Sequence, residues 1–236
     1  MIGFYLKLAW RKLKADKIIT LGRIASIVFG ILCVTFILAW IRNELNTDRF
    51  HKKTDNIYLT VVKSSPMSNW KPLEIDRFFK FDYQEYPHVT NKLTLKKYDQ
   101  TEAKLKIDVK TFKAEGLIAD STFFDFFDFK LLTGDREKIM KDPTSIVITE
   151  QLARKMFGES DALGKSILVE CGRKGTYQVA GILERVPSNS SITFDFIVPR
   201  HSQNFWSRSG ANFILTDDYF NESDFKKKIA DIGKKH

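Results

Sequence analysis

The feature that most constrains this chain is an uncharged stretch near its start, IASIVFGILCVTFILAWI, which occupies residues 24–41. As a helix it would be roughly 27 Å long, which matches the hydrocarbon thickness of a bilayer. A cleaved signal peptide has a shorter apolar region that ends in a small-x-small site, whereas this stretch continues into RNEL. We therefore predict an uncleaved transmembrane helix over residues 18–43; a buried helix of a soluble protein is the alternative.

Positive charge is concentrated immediately before this stretch. Residues 1–23 hold six lysine and arginine side chains and one aspartate, so they carry a net charge of +5 out of the chain's +9. By the positive-inside rule, this asymmetry predicts a cytoplasmic N-terminus and an extracytoplasmic location for residues 44–236. Because so much of the charge is explained by topology, we predict no nucleic-acid partner.

The basic segment MIGFYLKLAWRKLK predicts an amphipathic helix over residues 1–17. Lys7, Arg11 and Lys14 are spaced at i, i+4 and i+7, so they form one stripe along this helix. Basic amphipathic helices bind the anionic lipid of the inner leaflet, and membrane lipid is therefore a predicted partner of the stripe. The alternative is that these charges only fix the topology.

Short strand-like and helix-like segments follow one another without regular alternation, which predicts an α+β domain over residues 44–236. The predicted strands are IYLTVVK (57–63), KLTLKKY (92–98), AKLKIDV (103–109), FKAEGLI (112–118), SIVITE (145–150), ITFDFIV (192–198) and NFILTDD (212–218), with a hairpin of SILVE and TYQVAGILERV around CGRKG. The predicted helices are LEIDRFFKFDYQEY (73–86), QLARKMFG with Gly158 as its C-terminal cap, and a final helix that begins at the capping residue Asn221.

Five phenylalanines lie within seven consecutive residues of the stretch STFFDFFDF, residues 121–129. On a helical wheel these phenylalanines cover one arc, while Asp125 and Asp128 lie on the opposite side. We predict a short helix with Ser121 as its N-cap, whose aromatic face packs into the core of the domain. An exposed binding surface for a partner or a lipid is the alternative.

The sequence contains no recognisable motif for catalysis or metal binding. The four histidines are scattered, and no HExxH, CxxC or GxSxG occurs. A phosphate-binding loop that ended in GKS at residues 164–166 would need a glycine at position 159, which is Glu159. We therefore predict that the chain is not an enzyme and has no catalytic residue, no metal and no cofactor.

Several segments of the chain, taken together and in order, resemble a known family. They are YLKLAWRKLKADK, ELNTDRFHKKTDNIY, DSTFFDFFDFKLLTGD, KDPTSIVITEQLARKMFGESDALGKSI and YQVAGILERVPSNSSITFDFIV. Over nearly its whole length, the chain is similar to the N-terminal part of bacterial ABC transporter permeases of the MacB-like and FtsX-like type. The resemblance implies a location in the bacterial cytoplasmic (inner) membrane, with a MacB-like periplasmic core domain after the first membrane helix.

In that family ATP is hydrolysed by a separate or fused ATP-binding subunit, and the permeases form dimers. The resemblance therefore implies an ABC ATP-binding subunit and a homo- or hetero-dimeric permease as partners, with Lys7, Arg11 and Lys14 as the possible ATPase contact. It also implies a non-catalytic function, in which the extracytoplasmic domain is coupled to the ATPase in export or envelope-related transport.

The family continues into further membrane helices, so we expect this chain to be a component or a truncated form of such a permease. A single-pass anchored module that binds or senses an extracytoplasmic ligand is the alternative function. The short cytoplasmic segment disfavours that alternative, because roughly 20 residues are too few to build a signalling domain.

Overall fold

The computed structural model describes residues 3–5, 10–11, 17–62, 71–72, 86–97, 103–171, 173–201 and 210–233. It divides the chain into two units, Met1–Thr47 and Asp48–His236. The predicted helix LEIDRFFKFDYQEY lies outside the described residues except for its last residue, Tyr86.

The first unit contains one long helix, α1, which runs from Lys17 to Leu45. Its most apolar window of 18 residues has a mean hydropathy of 2.6, so α1 is long and apolar enough to cross a membrane. The Ser26 hydroxyl donates a hydrogen bond to the Gly22 carbonyl at 2.9 Å, and both polar groups are thereby satisfied within the helix. The predicted apolar helix is confirmed.

The second unit is built on strands that are numbered here in chain order. They are β1 (Ile57–Leu59), β2 (Val61–Val62), β3 (Lys71–Pro72), β4 (Val89–Lys97), β5 (Ala103–Ile107), β6 (Lys110–Ala114), β7 (Gly116–Ala119), β8 (Leu131–Gly134), β9 (Ser145–Thr149), β10 (Ser166–Cys171), β11 (Arg173–Leu183), β12 (Phe196–Pro199) and β13 (Ala211–Thr216). Four helices accompany them, α2 (Phe123–Phe126), α3 (Arg136–Ile139), α4 (Glu150–Phe157) and α5 (Glu222–Gly233).

Eleven of the described strands form one mixed sheet in the order β1-β13-β4-β7-β12-β9-β11-β10-β5-β6, with β8 paired to β11. Strand β12 runs parallel to β7, and β11 runs parallel to β9, whereas the other pairs of this sheet are antiparallel. Strands β2 and β3 form a separate two-stranded ribbon. A mixed sheet with helices confirms the predicted α+β class.

The core lies on both faces of the three central strands, because every residue of β7, β9 and β12 is buried. On β9, Ile146 and Ile148 point to the face that α4 covers with Leu152 and Met156. Val147, between them, points to the opposite face, where the phenylalanines of residues 123–129 pack. This two-sided burial explains why residues 146–148 of β9 are all apolar and show no polar alternation.

Three local predictions are confirmed by the backbone. Gly158 caps α4 with a φ of 65°, a conformation that glycine adopts at little cost. The amide of Ser223 donates to the Asn221 side chain at 2.9 Å, so Asn221 caps α5. Strands β10 and β11 form the hairpin around CGRKG, with Cys171 paired to Arg173.

The predicted single strand FKAEGLI is wrong, because the structure interrupts it at Glu115. The Glu115 amide donates to the Asp195 carboxylate at 2.8 Å, and the Glu115 carbonyl accepts from the Asp195 amide at 2.7 Å. These bonds pull residue 115 out of the ladder. Strand β6 therefore pairs with β5 before the break, whereas β7 pairs with β4 and β12 after it.

The predicted N-cap Ser121 is also wrong by one residue, since Thr122 occupies that position and neither caps the helix through its side chain. The Thr122 hydroxyl donates instead to the Lys92 carbonyl at 2.8 Å, which fixes α2 to strand β4. Helix α2 is a single turn, and from Phe127 onward the backbone is extended.

Candidate functional site

The stripe of basic residues that the sequence singles out is only partly described by the structure. Arg11 is helical and exposed to solvent, whereas Lys7 and Lys14 lie outside the described residues. The contact of this stripe with an ATPase or with lipid therefore stays a prediction.

The structure shows a second candidate site, which sequence reasoning missed, where the second unit begins. Residues 48–56, called the junction segment here, follow α1 in the chain after a short turn. They pack against the Phe cluster, which we define as the five phenylalanines of residues 121–129. All five are buried: Phe123, Phe124, Phe126, Phe127 and Phe129. Core burial of this aromatic stretch is thus confirmed.

Asp48 anchors the start of the junction segment to the loop that precedes β12. Its amide donates to the Asn189 carbonyl at 3.0 Å, and its carboxylate accepts from the Ser191 amide at 2.8 Å. Asp48 has a φ of 58°, in the left-handed region that aspartate tolerates better than most residues.

His51 lies at the centre of the contact between the junction segment and the Phe cluster. Only 5% of its surface is exposed. Its ring centroid lies 5.1 Å from that of Phe127, 5.0 Å from that of Phe129 and 3.9 Å from that of Phe50. The imidazole is therefore packed as one more aromatic ring of the core.

The imidazole also forms a hydrogen bond that fixes its protonation state. The Asp128 amide donates to Nδ1 of His51 at 2.9 Å, so Nδ1 carries no proton. The proton of the neutral ring therefore lies on Nε2, which is buried and has no hydrogen-bond partner among the described residues. In return, the Lys52 amide donates to the Asp128 carboxylate at 2.7 Å. The junction segment and the residues after α2 are thus joined in both directions.

Burial lowers the pKa of His51 below its ordinary value of 6.5, because the charged ring would be desolvated. The nearby carboxylates of Asp48 and Asp128 act in the opposite direction and do not overcome that cost. His51 is consequently neutral at neutral pH, as the hydrogen bond to its Nδ1 requires.

Two further bonds hold the same segment. The Lys53 ammonium donates to the Asp125 carbonyl at 2.9 Å, and the Thr54 hydroxyl donates to the His51 carbonyl at 2.6 Å. Backbone, side-chain and aromatic contacts therefore join residues 50–53 to residues 125–129.

One feature of the sequence indicated this site: the histidine in RFHKK, directly after a polar turn. Its partners lie far away in the chain, since Asp128 is 77 residues from His51. A histidine without neighbours of its own type was therefore counted as scattered.

Comparison with known proteins gives one family and several solved structures. A family model described as the MacB-like periplasmic core domain matches residues 20–231. A crystallised domain of a protein described as a permease from Porphyromonas gingivalis is 25% identical, with a TM-score of 0.51, and the match covers 65% of this chain and 73% of that one. The periplasmic region of MacB from Actinobacillus actinomycetemcomitans is 15% identical, with a TM-score of 0.48 over 64% of this chain and 69% of that one. No curated protein matches the chain.

Proposed function

Because the chain belongs to the family of MacB-like periplasmic core domains, we propose that it is a membrane-anchored component of an ABC transporter permease. In this proposal the domain has no catalytic role of its own, and a separate cytoplasmic subunit hydrolyses ATP. The coupling of domain and ATPase serves export or envelope-related transport, within a homo- or hetero-dimeric permease. The observation that carries the coupling is the buried contact of His51 with the Phe cluster.

The proposed mechanism follows from the position of the junction segment. Helix α1 ends at Leu45, and three residues later Asp48 is hydrogen-bonded to the loop before β12. Only two residues separate the end of α1 from Asp48, so a displacement of that end would reach Asp48 almost directly. His51 and Lys52 then pass it to Asp128 and the Phe cluster, at the centre of the domain core.

The proposed topology places the N-terminus in the cytoplasm and the domain outside, because the positive flank precedes α1. We expect an impermeant thiol reagent to label Ser160→Cys in intact spheroplasts and to leave Gly3→Cys unlabelled, both in a chain whose Cys33 and Cys171 are replaced by serine. Labelling of Gly3→Cys with protection of Ser160→Cys would reverse the orientation.

The proposed ATPase contact is the stripe formed by Lys7, Arg11 and Lys14. We expect an ATP-binding subunit encoded beside this chain to co-purify with the native protein, and reversal of all three charges to glutamate to abolish co-purification. A matched control reverses Lys130, Lys226 and Lys227, which are exposed in the second unit, and should retain the ATPase.

Equal retention by both triple variants would assign the stripe to lipid and topology alone, at about 1 kcal/mol for each charge near an anionic surface. Failure of the native chain to capture any ATP-binding subunit would contradict the proposed function itself.

A further inference from the structure

The end of the sheet opposite to β1 in strand order carries more positive than negative side chains. Strands β6, β5, β10 and β11 are consecutive neighbours there. Their inward face packs in the core with Leu105, Ile167 and Val169. Their opposite face carries polar side chains, as expected for an antiparallel sheet with one side open to water.

The residues of the open face follow from the strand register. Lys113 of β6 is paired with Lys104 of β5. Lys104 is in turn paired with Glu170 of β10, and Glu170 is paired with Lys174 of β11. These side chains form one row across the four strands. The next row places Lys106 beside Leu168. We call these two rows the lysine face; its four lysines and one glutamate carry a net charge of +3.

The single glutamate is already neutralised by two of the lysines. The Glu170 carboxylate lies 3.0 Å from the Lys106 ammonium and 2.8 Å from the Lys174 ammonium. Its hydrogen bonds to Lys174 and Lys106 lower the pKa of Glu170, so it stays ionised. Lys104, directly opposite Glu170 in the register, has no ion-pair partner among the described residues. Positive charge on this face is therefore in excess.

Lys104 and Lys113 lie directly opposite each other on neighbouring strands, so their positive charges are brought together on this face. A negatively charged partner would meet a complementary potential here, and opposite potentials raise the rate of association.

We propose that the lysine face is the docking surface for an extended acidic segment of a partner protein. Lysines two residues apart on one strand, Lys104 and Lys106, are separated by roughly 6.8 Å. That spacing equals the distance between alternate carboxylates of an extended peptide. Leu168, half-buried and paired with Lys106 in the register, is placed to accept an apolar side chain of such a segment.

The test uses the full chain in nanodiscs of neutral phosphatidylcholine and a fluorescein-labelled peptide of five Glu-Thr repeats as the probe. We expect binding that weakens as salt rises, since exposed charges are screened. The variant Lys104→Glu/Lys113→Glu should bind at least about tenfold more weakly, because charge repulsion replaces attraction. The milder Lys104→Gln/Lys113→Gln should lose part of the affinity, and both should melt as the native chain does.

The matched control is Lys226→Glu/Lys227→Glu on α5, which changes the net charge equally at another place in the domain. It should bind the peptide as tightly as the native chain. An equal loss in both double variants would overturn the proposal, since bulk charge would then explain binding. Absence of peptide binding together with lysine-dependent binding to vesicles of phosphatidylglycerol would also overturn it, in favour of a lipid surface.

Discussion

Replacing Phe127 by alanine is expected to lower the free energy of unfolding of the second unit by about 3–5 kcal/mol. Phe127 is 5% exposed, and its ring centroid lies 5.3 Å from that of Phe123 and 6.0 Å from that of Phe213. Alanine would leave a cavity among these rings and His51. Phe124→Ala is expected to cost a similar amount, and a loss of this size is a large part of a domain's stability.

The measurement is denaturant unfolding of the full chain in detergent, followed by near-ultraviolet circular dichroism. Tyr219→Ala is the control, because Tyr219 is 81% exposed and its removal leaves no cavity. An unchanged unfolding midpoint for Phe127→Ala would contradict the packing described above. Asp125→Asn is expected to change stability little, whereas Asp128→Asn weakens the charge-assisted bond to the Lys52 amide.

Acidification is expected to destabilise the domain through His51. Its pKa is lowered in the folded state, so the unfolded chain binds more protons between that lowered value and 6.5. Stability is therefore fully present above about pH 6.5 and is lost as the pH falls through the folded pKa. The slope contributed by one such group reaches at most about 1.4 kcal/mol per pH unit.

The control for this pH dependence is His51→Asn, in which the amide oxygen takes a position close to that of Nδ1 and does not titrate. Its stability at neutral pH should be lower because ring contacts are lost, but the slope between pH 6.5 and 5 should be smaller than in the native chain. The carboxylates of Glu115 and Asp142 have lowered pKa values and act only at lower pH. Identical slopes in the native chain and the variant would show that His51 does not control this transition.

Patterns within a short window of sequence predicted much of the fold. The uncharged stretch at residues 24–41 predicted α1, and the segment SIVIT predicted the central strand β9. The caps at Gly158 and Asn221 followed from residue type alone, since a left-handed glycine and a side-chain acceptor act on backbone groups two to four residues away. These features depend on neighbours in the chain, which the sequence displays directly.

The errors arose where distant residues decide the local structure. The break at Glu115 is imposed by Asp195, which lies 80 residues away. The His51 contact depends on Asp128, and the Thr122 hydroxyl is committed to strand β4 instead of to its own helix. No periodicity in one segment encodes such a partner, so the candidate site became visible only in three dimensions.

We propose that the junction segment couples α1 and an ATPase to the domain core. The most direct measurement is hydrogen exchange of the Lys52 and Asp128 amides, which donate to Asp128 and His51 respectively, in the assembly purified with its ATP-binding subunit. We predict that their exchange rates differ between the ATP-bound and ADP-bound states, whereas the Thr149 amide in the central sheet, bonded to the Asp195 carbonyl, is unaffected. Identical exchange of Lys52 and Asp128 in both nucleotide states would contradict coupling through this segment.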